Sequence, residues 1–234
     1  MQARRMVLLL AVLGSQAGAL CSVPRPRLVC AEYFHSKGVV IAKLAAVTAV
    51  KDSYEDVIGT YYSMTVEQTL RGQVPRLFRI YMANDSGRTT FEWKTSDSYL
   101  LFLMDENPNG AWVLDGCGNS GPAQLRQKAL QQIEAIDSTS NHALIQGTVG
   151  GNSSSFPLRG VQVEARGPGG VNTTETKADG TFELHVSPGK YQVRALEPGK
   201  TFVAEDITYE NPDDLVLEKG GCAQVQFVES VQKH

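Results

Sequence analysis

The sequence is poor in histidine, cysteine and positive charge, and each shortage argues against a class of function. Its 234 residues carry 22 Lys and Arg against 25 Asp and Glu, a net charge of −3. That balance provides no basic surface for nucleic acid or for an anionic membrane. The four histidines and four cysteines form no H-E-x-x-H or C-x-x-C motif, and neither a Walker loop nor a dinucleotide fingerprint occurs. The sequence therefore predicts no nucleic-acid partner, no metal site and no cofactor.

Long apolar runs are also scarce, and the most distinct one lies at the beginning of the chain. Residues 6–13 are all apolar, follow Arg4 and Arg5, and precede the small residues 17–19, Ala-Gly-Ala. This order is typical of a secretory signal peptide. The run is shorter than the roughly 20 residues of a membrane span, and no later stretch reaches that length. We therefore expect residues 1–19 to be a cleaved signal, the protein to be secreted or periplasmic, and no integral membrane segment to be present.

Cleavage after Ala19 leaves 234 minus 19, or 215, residues, with a charge of 20 minus 25, or −5. That length is typical of two domains. The first cysteine, Cys21, then follows Leu20. Two alternatives stay open in this region, cleavage directly before Cys21 and lipidation of that cysteine.

Apolar runs between residues 39 and 114 predict about six strands. They lie at 39–50, 62–66, 78–82, 89–93, 99–104 and 111–114. The last two flank the turn sequence of residues 105–110 and predict a buried hairpin. About six strands in roughly a hundred residues predict a small closed barrel or a sandwich.

The apolar period changes to that of a helix near residue 122. The predicted apolar face consists of Leu125, Ala129, Ile133 and Ile136. This face predicts a helix of about four turns over residues 122–137, with Ser120 at its start and Pro122 in its first turn. Residues 138–141 have linker composition, and we place the domain boundary there.

Beyond this boundary, apolar and polar residues alternate more regularly than in the first half. A strand begins at Ala143, and further strands are predicted at 161–166, 182–186, 191–195 and 223–227. Turn sequences at 178–180 and 187–189 separate them. The pattern predicts a β-sandwich of about seven strands.

Four strand and turn motifs characterise this second half, at residues 147–149, 157–163, 178–182 and 188–193. Together they resemble the carboxypeptidase regulatory-like, or transthyretin-like, family. The resemblance covers about residues 142–229. It implies a folding or docking module that is not catalytic.

The first half carries Cys21 on a proline-containing arm, Cys30 just before a predicted strand and Cys117 after the predicted hairpin. With Leu70-Arg-Gly72 and Ser98–Phe102, this pattern resembles the netrin-like, or TIMP-like, OB-fold group in its bacterial form, over about residues 20–137. The expected fold is therefore mainly β. It comprises an N-terminal OB-like β-barrel with a C-terminal helix and a seven-stranded transthyretin-like β-sandwich.

Cysteines in an exported chain favour disulfides over free thiols. By the netrin-like resemblance Cys21 pairs with Cys117, which leaves Cys30 and Cys222 as a second pair that links the domains. Cys30 with Cys117 is the competing pairing. A free, buried thiol at Cys222 is the alternative to the second pair.

Two segments look like the beginning of a chemical site, and neither completes it. Residues 116–122 resemble the nucleophile segment of trypsin-like proteases around Ser120, but none of the four histidines lies where the pattern predicts a general base. Residues 105–110 fit the first half of an EF-hand loop, whose twelfth position here is Gly116 instead of glutamate. The first segment is better explained as the start of the predicted helix at Ser120, and the second as a hairpin turn.

We therefore expect an exported, disulfide-stabilised, non-enzymatic binding protein. Its expected partner is a protein or a glycan, engaged by barrel loops or by edge strands of the sandwich. The first alternative is a metalloprotease inhibitor that acts through the free amine and carbonyl of Cys21, which requires that the mature chain begin at this residue. The second alternative is an enzyme of unrecognised type.

Overall fold

The computed structural model describes residues 27–85, 89, 91–151, 156–205 and 210–230. This part of the chain contains fourteen strands and two α-helices, which confirms the prediction of a mainly β protein. The first six strands pair only with one another, and the last eight do likewise. The predicted boundary at residues 138–141 lies between these two sets.

The first set of strands, with both helices, occupies the described chain up to Glu134. In order, its elements are α1 Val29–His35, β1 Gly38–Lys51, β2 Val57–Gly72, β3 Leu77–Ala83, β4 Ser98–Glu106, β5 Trp112–Leu114, β6 Gly121–Pro122 and α2 Gln127–Glu134. Strand β1 pairs with β2, β2 with β3, and β4 with β5, all antiparallel. Strand β4 also pairs with β1, and β3 meets β5 in parallel where Ile80 faces Trp112. These pairings form a ring of five strands, to which β6 adds at β4.

The position of strand β4 between two apolar clusters explains why its sequence is continuously apolar. Leu101 and Leu103 belong to the core inside the ring, whereas Leu100 and Phe102 pack on the opposite face against Ala129 of α2 and its neighbours. All four strand residues are fully buried. A strand covered on both faces needs apolar residues at every position instead of alternate ones. The predicted hairpin of β4 and β5 is confirmed.

The length predicted for the helix over residues 122–137 is wrong, because the helix in the structure is shorter. Pro122 is extended and pairs with Tyr99, and only a single 3₁₀ turn and the eight residues of α2 follow. Arg126 has non-helical dihedral angles between the two pieces. The predicted apolar face is therefore broken at Leu125, which is 72% exposed.

Ser120 does not begin this helix either. Its side chain is buried, and its Oγ accepts a hydrogen bond of 3.0 Å from the backbone N–H of Phe102. The hydroxyl satisfies an amide of β4 in the interior, where an unpaired N–H is costly. Ser120 thus fixes the loop after β5 to the ring.

Two further predictions for the first half are wrong. The described residues of 89–93 form an irregular loop instead of a strand, because Phe91 and Trp93 both pack on the ring of Tyr99. The two prolines in residues 21–30 predict an extended, non-helical arm there, but its last residue, Cys30, lies in α1. The prolines that favour an extended arm end at Pro26, and the segment after it is free to form a helical turn.

The last eight strands form two sheets of four. They are β7 Ala143–Gly150, β8 Gln162–Gly167, β9 Gly170–Glu175, β10 Thr181–Val186, β11 Gly189–Leu196, β12 Phe202–Ala204, β13 Leu215–Leu217 and β14 Cys222–Glu229. One sheet has the order β10-β7-β14-β12 and the other β13-β11-β8-β9. Their buried side chains form one continuous core, as expected for a sandwich. The described part contains one strand more than the seven predicted for this half.

Candidate functional site

The β1–β2 hairpin extends well beyond the ring of strands. The first part of β1 is buried through Leu44, whereas residues 45–49 are exposed. On β2, Val57 and Ile58 are exposed as well, and Tyr54 in the connecting turn is 84% exposed. Apolar side chains thus remain in solvent along the outer half of this hairpin, which is the pattern of an interaction surface.

The outer part of β1 also has a free edge. Its pairing with β4 ends where Lys43 faces Ser98. Leu44 is then hydrogen-bonded to the loop that precedes β4. Its N–H donates to Asp97 O, and its carbonyl accepts from Ser96 N–H. Beyond Leu44, no described strand pairs with this edge. We call residues 45–50 the free edge of β1.

A loop beside this edge carries an aromatic cluster. The N–H of Lys94 donates to the hydroxyl of Tyr99, which is fully buried and anchors the loop. Trp93 stacks on Tyr62 of β2 with ring centroids 4.4 Å apart and an interplanar angle of 25°. Its indole N–H donates to Thr89 Oγ1 at 3.1 Å. Phe91 completes the cluster, 4.9 Å from the Trp93 ring.

The cluster forms one wall of an open groove of about 390 Å³. Its lining consists of Val47, Tyr62, Met82, Thr89, Phe91, Glu92 and Trp93. Glu92 is the single charged residue of this set. A mostly apolar concavity with few polar groups is the usual form of a ligand site. We refer to it as the aromatic groove.

The spacing of the rings limits what the aromatic groove can bind. The Tyr62 hydroxyl is uncharged near neutral pH, as that of tyrosine ordinarily is, and burial raises its pKa further. Because Tyr62 and Phe91 each contact Trp93, no gap remains beside the Trp93 ring at these two contacts in which a cation could lie between two ring faces. The cluster therefore forms a continuous platform for an apolar ligand surface instead of an aromatic cage.

A second notable group is a buried carboxyl in α1. Glu32 is fully buried, and its Oε2 accepts the backbone and side-chain N–H groups of Asn119, each at 2.7 Å. Among the described residues its Oε1 has no hydrogen-bond partner, and a Cβ at position 118 would collide with it, so this approach needs Gly118. Burial raises the pKa of Glu32 to about 7, with a smaller contribution from Asp115. The group joins α1 to the loop that follows β5.

Cysteine pairing holds the same helix to the second half of the chain. Cys30 of α1 and Cys222 of β14 form a disulfide across a sequence separation of 192 residues. This bond excludes both the competing pair of Cys30 with Cys117 and a free thiol at Cys222. Cys117 is disulfide-bonded as well. The partner predicted for it, Cys21, lies outside the described residues, as does the inhibitory site that requires Cys21.

Polar contacts reinforce the joint around α1. The N–H of Leu28 donates to Gln224 Oε1 at 2.9 Å, and Arg71 forms an ion pair of 2.7 Å with Glu218. The Arg71 guanidinium also lies over the rings of Tyr33 and Phe34, 5.3 and 4.9 Å from their centroids. These contacts connect the ring of strands and the sandwich through one helix.

The segments that look like chemical motifs serve structural roles. Ser120 Oγ is engaged in the interior, as described above. In the presumed ion loop, Asn107 Oδ1 accepts the N–H groups of Asn109 and Ala111, which closes the hairpin turn. Across the described residues, no group of three or more His, Cys, Asp or Glu side chains is arranged to hold a metal ion.

A larger cavity lies elsewhere, on the sandwich. It has a volume of about 770 Å³, and its lining includes Phe202 and Phe227 together with Arg194 and Lys200. This lining also includes Glu197 and Asp213, so it carries charges of both signs and identifies no single class of ligand. We therefore assign no site to it.

Sequence reasoning missed the aromatic groove. The alternation of Phe91 and Trp93 around Glu92 is the pattern of a half-buried strand, and the loop they form depends on Tyr99 and on Tyr62 of the distant strand β2. One signal was present in the sequence. Residues 45–49, Ala-Ala-Val-Thr-Ala, have no alternation with charged residues, although this part of the strand is exposed.

No family model matches the chain. No curated protein matches it either. The described part contains no helix with the length and apolar character that crossing a bilayer requires.

Three solved structures share limited similarity with the chain. One is the dioxygenase domain of a dioxygenase carbohydrate-binding protein fusion from Streptomyces sp. SirexAA-E, with 15% identity over 39% of this chain and 81% of that chain and a TM-score of 0.26. The Bacillus anthracis TIE protein has 8% identity over 83% of this chain and 30% of its own, with a TM-score of 0.29. A C-terminal fragment of the pilus adhesin SpaC from Lactobacillus rhamnosus GG has 10% identity over 89% and 94%, with a TM-score of 0.26. At these scores we draw no functional argument from them.

Proposed function

We propose that the protein is an exported, non-enzymatic binding protein that engages a protein or glycan partner at the aromatic groove and the outer β1–β2 hairpin. The observation that carries this proposal is the exposed apolar surface around Val47, which is 49% exposed, next to the ring platform of Trp93 and Tyr62. Groups of this kind are enriched where proteins recognise ligands. The Cys30–Cys222 disulfide is typical of a protein that functions in an oxidising compartment.

The arrangement supports binding through shape and apolar contact. The rings of the platform are held by Tyr99 and by the bond from Trp93 to Thr89, so little side-chain freedom remains to be lost when a ligand binds. The exposed carboxylate of Glu92 is available for hydrogen bonds at the rim. This combination favours a ligand that presents an apolar face and a few polar groups.

The test uses the full chain on two defined arrays, one of oligosaccharides and one of eight-residue peptides. We expect Trp93→Ala to weaken binding of any retained ligand at least tenfold, because it removes the centre of the platform. Phe156→Ala is the matched control, since Phe156 is an exposed aromatic residue of the sandwich, and it should leave binding unchanged. Equal binding by both variants, or turnover of array members by the wild-type protein, would contradict the proposal.

A further inference from the structure

The free edge of β1 is unusual in its composition. Residues 45–50, Ala-Ala-Val-Thr-Ala-Val, contain neither a charge nor a proline. Exposed edges in soluble proteins are generally protected by charges, prolines or short strands, because their unpaired backbone groups can accept another strand. Here the only charges are at the two ends, on Lys43 and Lys51. The edge thus retains the chemistry that strand addition requires.

The free edge adjoins the aromatic groove. Val47 belongs to both, since it lies on β1 and lines the groove with Trp93. Strand addition uses main-chain hydrogen bonds for affinity and pockets for alternate side chains for specificity. The free edge provides the unpaired main-chain groups, and the aromatic groove beside it provides a pocket for a side chain.

We propose that this edge binds an extended segment of a partner protein as an additional strand, with one apolar or aromatic side chain of that segment in the aromatic groove. The inference rests on the proposed function and names the partner class. Lys43 and Lys51 bracket the uncharged run, so the fitting segment is uncharged in its centre and carries carboxylates toward its ends. Lys51 remains available to it because its ion pair with Glu55 is exposed and weak.

Two other occupants fit the surface less well. A glycan can stack on the rings, but it has no row of amide and carbonyl groups at the repeat of a strand. An antiparallel second copy of β1 would bring its own Asp52–Asp56 turn toward the loop that already bonds Leu44. A peptide segment avoids this collision because it can end at Leu44.

The experiment uses the full chain and the synthetic peptide Asp-Thr-Val-Thr-Phe-Thr-Val-Glu as probe. We expect the peptide to slow amide hydrogen exchange within residues 45–50 at least tenfold. A matched peptide with alternate amides N-methylated should have no such effect, because it cannot complete the ladder. Equal protection by both peptides, or protection at sandwich edges instead, would overturn the inference.

Two lysine substitutions separate the edge from general surface effects. Val47→Lys should reduce peptide affinity at least tenfold, whereas Val171→Lys, at a similarly exposed valine of β9, should not change it. Both variants should melt at the temperature of the parent, since each valine is about half exposed. If Val47→Lys does not fold, Ala49→Lys on the same exposed run serves in its place.

The remaining outcomes distinguish this inference from the proposed function. Oligosaccharide binding that Trp93→Ala abolishes, without peptide binding, would overturn the inference and leave the proposed function intact. Protection of residues 45–50 that depends on protein concentration, in the absence of peptide, would show a second copy as the occupant and would also overturn it. Loss of all ligand binding in the arrays would refute both.

Discussion

The sandwich and the five-stranded ring use their strands in different ways. In β10 and β11, buried and exposed residues alternate along the strand, so each strand has one core face and one solvent face. In the ring, β4 is buried on both faces, whereas the outer part of β1 is exposed on both. These two strands therefore obey their sequence pattern, whereas β14, next to α1, is buried on both faces from Cys222 to Phe227. In the ring, the departures from that pattern mark the covered interior and the candidate binding surface.

The comparison also concerns how each half is held together. One extended apolar cluster forms the core of the sandwich. The first half has two smaller clusters, one inside the ring and one under the helices, and it adds a buried carboxyl and a disulfide at α1. We expect the sandwich to depend mainly on packing and the first half to depend as well on polar and covalent constraints.

Removing a large side chain from the sandwich should have the largest effect on stability. Phe182→Ala deletes a fully buried ring, and we expect a loss of about 3–5 kcal/mol in the free energy of unfolding. Phe156→Ala, at an exposed ring of the same half, should cost less than about 0.5 kcal/mol. Urea denaturation of both variants checks this difference, and similar losses would refute the packing account.

Breaking the link between the halves should come next. The double variant Cys30→Ser and Cys222→Ser releases a constraint on a loop of nearly two hundred residues, and we expect a loss of about 2–4 kcal/mol. The two halves should then unfold in separate transitions, because each has its own apolar core and the disulfide is the covalent link between them at α1. Calorimetry can resolve these transitions. A single transition at the parent temperature would show that the disulfide does not couple them.

Near neutral pH, the smallest of these effects should come from the first half alone, and it should grow as the pH falls. Because burial raises the pKa of Glu32 from 4.5 to about 7, the folded state binds a proton more tightly than the unfolded state. The contribution of this group is fully present below pH 4.5 and is lost as the pH rises through about 7, with a magnitude on the order of 3 kcal/mol. Glu32→Gln should remove this part of the pH dependence while it keeps an acceptor for Asn119.

Urea denaturation at several pH values between 4.5 and 8 measures this difference. The wild-type protein should lose stability relative to Glu32→Gln as the pH rises. Parallel stability curves for the two proteins would contradict the assignment. Glu183→Gln, at an exposed carboxylate of β10, is the matched control and should follow the wild-type curve.

The sequence by itself determined the β class, most strands of the sandwich and the β4–β5 hairpin, because period-two alternation and turn residues act over a few neighbours. It also restricted the cysteines to a few possible pairings. The structure showed that Cys30 pairs with Cys222. Tertiary structure alone decided the length of α2, since the paired Pro122 and the non-helical Arg126 override an apolar period that extends further. It also decided the loop of Phe91 and Trp93, which Tyr99 anchors, and the burial of Glu32 against Gly118. These features depend on contacts between residues far apart in the chain, which a local pattern does not specify.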